Sequence, residues 1–371
     1  MSAISSSLDD PNASTVKARV QAANRDIRVA CGMAWWKRDR IAQFLASDER
    51  GPLIFTEDTD QAITAAGDGR IAVWPSRMPA ELEKRAGARL VRIEDGFIRS
   101  IGLGADLHPP LSIVVDRTGI YYDPTRPSDL ETILETADFT SALLARADGL
   151  METIVTRGIS KYGRETPVVH ARRVKHTVLV PGQVEDDESV RLGGAGVAGN
   201  LDLLRRARAA EPDAHILFKP HPDVDAGHRR GRVPDSELLQ YADAIVRGES
   251  MPSLLARVDA VHVLTSLTGF EALLRGLDVT VHGQPFFAGW GLTRDLAGPN
   301  PRRTRKLKLV ELVAGTLILY PRYLDPVTEQ PCSPEILLQR LTDGWLPKKS
   351  WLIRLRQLEG RIARLLGTVS R

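Results

Sequence analysis

Residues 216–222 read ILFKPHP, an apolar segment that runs directly into a Lys-Pro-His-Pro turn. Residues 258–276 read VDAVHVLTSLTGFEALLRG, a second apolar segment that runs into a Thr-Ser-Leu-Thr helix start. A strand that leads straight into a helix is the repeating unit of α/β folds with parallel sheets. The free N–H groups and the positive dipole end of such a helix start favour an anion. The two segments therefore predict an α/β protein that holds a nucleotide phosphate at the ends of neighbouring strands.

Short runs rich in Val and Ile, separated by helix-like segments, extend this pattern over the whole chain. They are RVACGMA (28–34), PLIFTE (52–57), RIAVW (70–74), RLVRIEDG (89–96), TVLVPGQ (177–183), HILFKPHP (215–222), AIVRG (244–248), AVHVLTS (260–266) and VTVHG (279–283). The alternation predicts parallel sheets that are covered by helices on both faces. Residues 111–123 (LSIVVDRTGIYYD) depart from it and predict a β-hairpin whose turn is Asp116 to Gly119.

The chain divides into four predicted regions, with a domain boundary near residues 165–176, where the basic segment ARRVKH follows a helical stretch. The regions are a disordered lead-in (1–25), a first α/β domain (26–170), a second α/β domain (171–300) and C-terminal helices (301–371). One of these helices is predicted to end at Pro321. The last, over residues 351–366, has an apolar stripe opposite arginines, which is typical either of a closing helix packed on the protein or of an interfacial helix on anionic lipid.

The composition is that of a soluble globular protein, with 371 residues of which 43% are hydrophobic and 26% charged. The net charge of +3 suits a polyanionic ligand or an anionic membrane surface. Two distant cysteines, Cys31 and Cys332, and the absence of a secretory signal indicate a reducing, cytoplasmic compartment. Because GxGxxG, Walker A, HExxH and CxxC motifs are missing, dinucleotide, P-loop and zinc chemistry lose their usual sequence support. We also expect no nucleic-acid partner.

A pair of carboxylates, Glu94 and Asp95, ends a predicted strand just before Gly96, with Arg99 nearby. The carboxyl ends of strands are where α/β proteins bind ligands, so one of the pair can act as a base in a cleft. The alternative, a helix N-cap or solvated loop, explains one acid more readily than two acids beside an arginine.

A second run of acids, Glu185, Asp186, Asp187 and Glu188, follows Gln183 at the end of another predicted strand. Such runs are usually solvated and begin a helix. At the first strand end of the second domain, one of the acids can equally serve as a nucleophile or base. The residue chemistry leaves both interpretations open.

The remaining candidates are the two turns quoted first. His221, between two prolines and beside Lys219, can aim an imidazole N–H at a phosphate oxygen, although a lone histidine is more often structural. Ser266 and Thr268 can cap their helix, bind a ligand, or do both. The aromatic loop GQPFFAGWG (283–291) can stack on a base or sugar, or fill a domain interface.

Together these motifs resemble the KpsC family of capsule polysaccharide biosynthesis proteins over residues 30–345. The matching segments are WKR (36–38), EDGFIRSIGLG (94–104), LSIVVDRTGIYYD (111–123), PGQVEDDESV (181–190), KPHPDVDAGHRRG (219–231), TSLTGFEALLRG (265–276), GQPFFAGWGLT (283–293) and LILYPRYLDP (317–326). KpsC usually carries two modules in tandem. This chain has one, whose PGQVEDD segment resembles the C-terminal module.

The resemblance implies a GT-B architecture, in which an acceptor-side Rossmann-like domain (26–170) and a CMP-sugar-binding one (171–300) face a cleft. It also implies transfer of Kdo (3-deoxy-D-manno-octulosonic acid) from CMP-Kdo to a lipid-linked, Kdo-primed acceptor of the phosphatidylglycerol type, with retention of the β configuration. The implied surroundings are the inner face of the cytoplasmic membrane, its anionic surface and other capsule assembly proteins. No separate cofactor and no metal are implied.

Bacterial sialyltransferases, which also use CMP-activated acidic sugars, share a D/E-D/E-G motif and an HP motif with this chain. By that resemblance the donor-binding residues are Lys219, His221, Pro222, Ser266, Thr268, Gln183 and Arg99. Glu94 or Asp95 takes the proton of the acceptor. Retention favours a double displacement with Asp187 as nucleophile, because it matches a Gln-x-x-x-Asp-x-Ser pattern, and Glu185 and Asp186 are the next candidates. The competing interpretations are a GT-B-fold nucleotide-sugar epimerase and a non-catalytic module of capsule assembly or export.

Overall fold

The computed structural model of the protein describes residues 13–49, 51–98, 108–160, 163–164 and 175–345, which form two large sheets flanked by helices. The strands are β1 (Ile27–Cys31), β2 (Ile54–Thr56), β3 (Arg70–Val73), β4 (Leu90–Asp95), β5 (Ser112–Asp116), β6 (Ile159–Ser160), β7 (Gly163–Arg164), β8 (Thr177–Pro181), β9 (His215–Lys219), β10 (Ala244–Ile245), β11 (Ala260–Val263), β12 (Asp278–Val281), β13 (Arg294–Asp295), β14 (Pro321–Leu324) and β15 (Pro331–Cys332).

The helices lie between the strands and start at residues that suit a helix N-terminus. Asp58, Ser128 and Thr140, for example, each accept a hydrogen bond from a backbone N–H of the first turn that follows. The helices are α1 (Ala13–Asn24), α2 (Arg38–Phe44), α3 (Thr59–Ala66), α4 (Ala80–Ala86), α5 (Asp129–Thr136), α6 (Ser141–Thr156), α7 (Glu188–Gly193), α8 (Asn200–Ala210), α9 (Pro222–Asp225), α10 (Asp235–Leu238), α11 (Met251–Leu255), α12 (Thr268–Leu273), α13 (Leu309–Val313), which continues as a π-helix over Ala314–Leu319, and α14 (Pro334–Thr342).

The first sheet has the strand order β15-β14-β5-β4-β3-β1-β2. Its parallel part, β4-β3-β1-β2, consists of the apolar runs predicted from the sequence. The predicted hairpin over residues 111–123 is wrong. β5 is a single strand that pairs antiparallel with β4 and β14, because Asp116 accepts hydrogen bonds from the N–H groups of Thr118 and Gly119 and so turns the chain away from the sheet.

The second sheet has the order β10-β9-β8-β11-β12-β13 and is parallel throughout, as predicted. Together the two parallel-rich sheets give the predicted two-domain GT-B-type α/β fold. The central strands β8 and β11 are fully buried, which agrees with their continuous apolar sequences.

Two regional predictions need correction. Residues 13–24, expected to belong to a disordered lead-in, form α1, whose Val16 and Val20 are one turn apart and buried where the helix packs near β15. Residues 301–371, expected to contribute only helices, also supply β14 and β15 to the first sheet. The helix before Pro321 is present, whereas the predicted helix over residues 351–366 lies outside the described residues.

Aromatic side chains join the two halves of the molecule. Phe97, which follows β4, lies with its ring centroid 4.8 Å from Phe286 and 6.3 Å from Phe270, both from the second half. Phe287 and Trp290 are fully buried, and Trp290 Nε1 donates to the carbonyl of Phe286 at 2.8 Å. Two roles were predicted for the aromatic side chains of residues 283–291. The structure shows that these side chains fill the domain interface.

Candidate active site

The polar groups predicted in the second half lie at the carboxyl-terminal edge of its sheet. Gln183 follows β8, His221 follows β9, and Ser266 follows β11. The sequence places the turns of His221 and Ser266 on neighbouring strands, but in the structure β8 lies between β9 and β11. Gln183 therefore lies between the two predicted phosphate-binding turns.

The side chain of Gln183 links the first of these strand ends to the third. Its Oε1 accepts hydrogen bonds from the backbone N–H groups of Thr265 at 2.9 Å and Ser266 at 3.2 Å, and its Nε2 donates to Thr265 Oγ1 at 2.9 Å. Ser266 Oγ accepts from the N–H of Thr268 at 3.2 Å and donates to Thr268 Oγ1 at 3.1 Å. These N–H groups are thus bonded within the protein. The N-cap of α12 is Leu267, which makes no side-chain capping bond, so the predicted N-capping by Ser266 or Thr268 is wrong.

The turn after β9 fixes the orientation of His221. This residue caps α9, and its Nδ1 accepts a hydrogen bond from the N–H of Asp223 at 3.2 Å, while Pro222 occupies the first position of the helix. A neutral imidazole that accepts at Nδ1 carries its hydrogen on Nε2. The ring is therefore set to donate from Nε2. Lys219 Nζ donates to the carbonyl of Glu249 at 2.6 Å, which holds that ammonium group at the end of β9.

The acids after β8 have different partners in the structure. Glu185 Oε1 accepts the N–H of Asn200 at 2.8 Å at the start of α8, and a Cβ at Gly199 would collide with the Glu185 carboxylate. Asp186 is exposed and pairs with Arg229 at 3.1 Å. Both residues thus have structural partners, and both lie in the cluster predicted from the sequence.

Asp187 is the N-cap of α7, which confirms that this run of acids begins a helix. Its Oδ1 accepts from the N–H of Ser189 at 3.0 Å and from Ser189 Oγ at 2.7 Å. Its Oδ2 receives no hydrogen bond from the residues that the structure describes. A capping carboxylate with one oxygen bonded and the other exposed keeps an atom available for chemistry.

In the first half, the predicted pair of acids ends β4. Asp95 Oδ1 lies 3.4 Å from Lys37 Nζ, and that ammonium group lies 3.4 Å from the ring centroid of Trp74. Glu94 Oε1 accepts the N–H of Asp95 at 2.9 Å. Gly96 is required after the pair, because a Cβ there would collide with Ser112 Oγ on β5.

Two tyrosines lie within the electrostatic reach of acids from both halves. Burial raises the pKa of Tyr121 well above its usual value, and Glu94, Tyr122, Asp187 and Asp95 raise it further. Burial likewise raises the pKa of Tyr122, followed by Glu94 and acids of the 187–188 turn. Tyr121 also lies with its ring centroid 4.9 Å from Phe97 of the first half and 5.7 Å from Phe286 of the second, so this pair of tyrosines lies where the two halves meet. The Tyr122 hydroxyl is buried and has no hydrogen-bond partner among the described residues.

Arg99, predicted to bind substrate, lies outside the described residues. Within the ranges that the structure covers, no group of three or more His, Cys, Asp or Glu side chains is arranged to hold a metal ion. Within the same ranges, no helix is both long and apolar enough to cross a bilayer.

The sequence comparisons agree with this arrangement. Residues 70–323 match the family model described as capsule polysaccharide biosynthesis protein. The chain belongs to this family. The family resemblance predicted from the motifs is thereby confirmed, and it covers both sheets, from β3 to β14.

Curated relatives of this capsule polysaccharide biosynthesis protein include the capsule polysaccharide modification protein LipA of Neisseria meningitidis serogroup A. The two are 43% identical over 315 residues, which are 84% of this chain and 44% of LipA. The chain thus spans less than half the length of that relative. The lipopolysaccharide-processing protein LpsZ of Rhizobium meliloti is 41% identical over 79% of this chain and 69% of LpsZ.

Two solved structures of Thermosulfurimonas dismutans KpsC are similar to this family member over almost their full length. The β-Kdo 2,7 transferase is 36% identical with a TM-score of 0.69, over 85% of this chain and 99% of that structure. The β-Kdo 2,4 transferase is 30% identical with a TM-score of 0.73, over 85% of this chain and 98% of that structure. Both similarities support the GT-B-type fold.

Sequence reasoning missed three residues of the site in this capsule polysaccharide biosynthesis protein. Lys37 lies in the WKR segment that carried part of the family resemblance, so a signal for it was present. Tyr121 and Tyr122 lie in the segment interpreted as the second strand of a hairpin, where alternate side chains point outward. Because the hairpin is absent, both residues follow β5 outside the sheet, and the ring of Tyr121 packs against Phe97 of the first half and Phe286 of the second.

Proposed function

We propose that this protein transfers Kdo from CMP-Kdo to a Kdo-primed glycolipid or glycan, with retention of the β configuration, in the biosynthesis of a capsule linker. One observation carries the proposal: Tyr121 lies with its ring centroid 4.9 Å from Phe97, which directly follows residues 94–96, and 5.7 Å from Phe286 of the second half. The acids that end β4 therefore lie beside the interface between the two halves, and a double displacement at one sugar uses two carboxyl groups that such an interface can supply. The similarity to two β-Kdo transferases supports Kdo as the transferred sugar.

In the proposed first step, Asp187 Oδ2 attacks the anomeric carbon of Kdo. The bond from this carbon to the phosphate oxygen breaks, and CMP leaves with the electron pair. His221 stabilises the departing phosphate by donating from Nε2, and Lys219 adds positive charge nearby. Ser266 and Thr268 contribute hydroxyl groups at the same edge, and Gln183 holds the turn on which they lie.

In the proposed second step, the hydroxyl oxygen of the acceptor attacks the same carbon and displaces Asp187. The hydroxyl proton passes to Glu94 or Asp95. Two displacements at one carbon restore the original configuration. Of the acids in the 185–187 turn, Asp187 is favoured because it contributes to the field at both tyrosines, while Glu185 holds α8 and Asp186 pairs with Arg229.

The test supplies CMP-Kdo, generated in situ, and a synthetic Kdo-terminated acceptor lipid to the full chain. We expect the acceptor mass to rise by one Kdo residue while CMP is released in equal amount. Conversion of the nucleotide sugar without an acceptor product would indicate an epimerase instead. Unchanged donor and acceptor in the presence of a folded protein would favour a non-catalytic module.

We also propose that the protein acts in the cytoplasm at an anionic membrane surface, where a lipid-linked acceptor is available. The basic, amphipathic sequence of residues 351–366 supports this step. Truncation after Lys349 should abolish binding to anionic vesicles and leave transfer to a soluble acceptor intact. A truncated protein that aggregates, or one that still binds vesicles, would contradict the proposal.

A further inference from the structure

A cavity of about 270 Å³ lies in the first half, between α1, the end of the π-helix, β14 and the start of α14. Arg117, one of its lining residues, directly follows β5. Because β5 runs antiparallel to β4, Arg117 lies at the edge of the sheet where β4 begins. Glu94 and Asp95 end β4, so the cavity and the candidate active site are at opposite edges of the same sheet.

Four arginines from different elements line the cavity. Arg19 is on α1, Arg117 follows β5, Arg146 is on α6, and Arg322 is on β14. Their positions along the chain are far apart, so the fold and not a local sequence run brings them together. Apolar side chains such as Val16 also line the cavity.

Two of the arginines already have carboxylate partners. Arg117 donates to both oxygens of Asp26 at 2.8 Å, and Arg146 donates to both oxygens of Glu335 at 2.8 and 3.2 Å. The cavity also contains Asp129, which accepts hydrogen bonds from the N–H of Arg117 and from Thr118 Oγ1. Among the described residues that line the cavity, four arginines accompany one carboxylate, that of Asp129, so the lining itself carries more positive than negative charge.

Arg322 is the member of the cluster that forms no direct ion pair with a carboxylate of the described residues. Its guanidinium donates to the neutral Oδ1 of Asn24. Burial, followed by the positive charges of Arg117 and Arg19, lowers the pKa of Arg322 to about 9, although Asp26 acts in the opposite direction. A largely buried cation beside other cations is unfavourable unless an anion joins it.

We propose that this cavity binds a phosphate group carried on a short apolar chain. Guanidinium groups match the oxygens of phosphate in bidentate geometry, and the four arginines come from different elements that converge on one space. The apolar wall suits the carbon chain next to the phosphate. The volume is close to the lower end of ordinary small-molecule sites, which limits the ligand to a few heavy atoms beyond the phosphate. The proposal does not depend on the transfer of Kdo.

The test measures binding of hexyl phosphate to the full chain by calorimetry, with hexanol as the uncharged control. We expect the Arg322→Gln and Arg19→Gln variants to weaken binding by roughly tenfold or more, the usual effect of losing a hydrogen bond to a charged group. Arg85→Gln, an exposed arginine on α4, is the matched control and should bind like the natural protein. His221→Ala should also bind normally, because His221 is at the other predicted phosphate site.

Two further arms identify the source of the phosphate. Binding of inorganic phosphate alone, with the same loss in both variants, indicates a free phosphate compound. Binding to phosphatidylglycerol vesicles but not to phosphatidylcholine vesicles, lost in Arg19→Gln, indicates a lipid headgroup. If Arg322→Gln fails to fold, the partly exposed Arg19 decides the matter. No binding of hexyl phosphate to the natural protein, or equal binding to Arg19→Gln, overturns the proposal.

Discussion

The carboxyl-terminal edges of the two sheets are built in different ways. At the edge of the second sheet the polar side chains satisfy one another, with Gln183 bonded to the turn of Thr265 and Ser266. At the edge of the first sheet, the buried hydroxyl of Tyr122 has no partner among the described residues. Buried polar groups are rarely left unpaired without a reason. We therefore infer that the hydrogen bonds of Gln183 stabilise the edge of the second sheet, whereas the Tyr122 hydroxyl leaves a hydrogen bond unmade at the edge of the first.

The strongest test of this difference between the two sheets is a change of Asp187. This residue lies at the edge of the second sheet, and its Oδ2 receives no hydrogen bond from the described residues. Asparagine caps helices as well as aspartate does, so Asp187→Asn should keep the fold. Because an amide cannot replace a carboxylate nucleophile, we expect transfer of Kdo to fall by about 10³-fold or more. The rate of product formation with CMP-Kdo measures this effect.

Asp186→Asn is the matched control, since Asp186 is exposed and pairs with Arg229. It should retain most of the activity. Intact-protein mass spectrometry of Glu94→Gln or Asp95→Asn should reveal a Kdo adduct on Asp187, because one of these changes blocks its removal. Equal activity in Asp186→Asn and Asp187→Asn would move the nucleophile elsewhere.

The second prediction tests whether the Gln183 network supports the fold. Gln183→Ala removes three hydrogen bonds and leaves two backbone N–H groups without their acceptor. We expect the free energy of unfolding to fall by about 2–4 kcal/mol, as measured by urea denaturation. The exposed Gln240→Ala change should alter it by less than about 0.5 kcal/mol. A Gln183→Ala protein as stable as the natural one would show that the network is dispensable.

The third prediction concerns His221, the predicted phosphate-binding residue at the carboxyl-terminal edge of the second sheet. His221→Ala removes the Nε2 donor and should weaken CMP binding by about 1–3 kcal/mol. Calorimetry with CMP measures this change. The Ser266→Ala variant is a useful comparison, because Ser266 already accepts the N–H of Thr268 and should affect stability as well as binding. Unchanged affinity in a folded His221→Ala protein removes His221 from the site.

The smallest expected effect is that of Tyr122→Phe, at the edge of the first sheet. Because the Tyr122 hydroxyl is buried without a partner, Tyr122→Phe should leave stability unchanged or raise it by up to about 1 kcal/mol. If that hydroxyl contacts the sugar, transfer should nevertheless slow. Thermal melting and product formation measured on the same sample separate the two effects. A loss of stability of more than about 1 kcal/mol would mean that the hydroxyl has a structural partner.

The sequence allowed most of the parallel strands to be predicted, because a fully buried strand such as β8 or β11 is apolar at most of its positions. It also located the acids and hydroxyls at strand ends, since those positions are local in sequence. It failed for β14, whose four residues begin with a proline and include an arginine, and whose partner β5 is about 200 residues away. The sequence around β14 does not indicate that it pairs with so distant a strand.

The same reasoning explains the errors at the site. The bonds that Gln183 makes to the turn after β11 cross 82 and 83 residues of sequence. The contact between Tyr121 and Phe286 depends on how the two halves pack, which no single motif encodes. Most of the candidate residues were therefore predicted from the sequence, whereas Lys37, the two tyrosines and the partners of the predicted residues were not.

The placement of β14 and β15 also bears on how the chain is synthesised. The first sheet draws on residues 27–116 and then on residues 321–332, with the whole second sheet made in between. During translation, the edge of β5 that pairs with β14 stays uncovered while the second domain is produced and folds. The second domain can therefore become native before the first one does, although it is translated later. A chaperone that shields exposed strand edges would act on this protein during that interval.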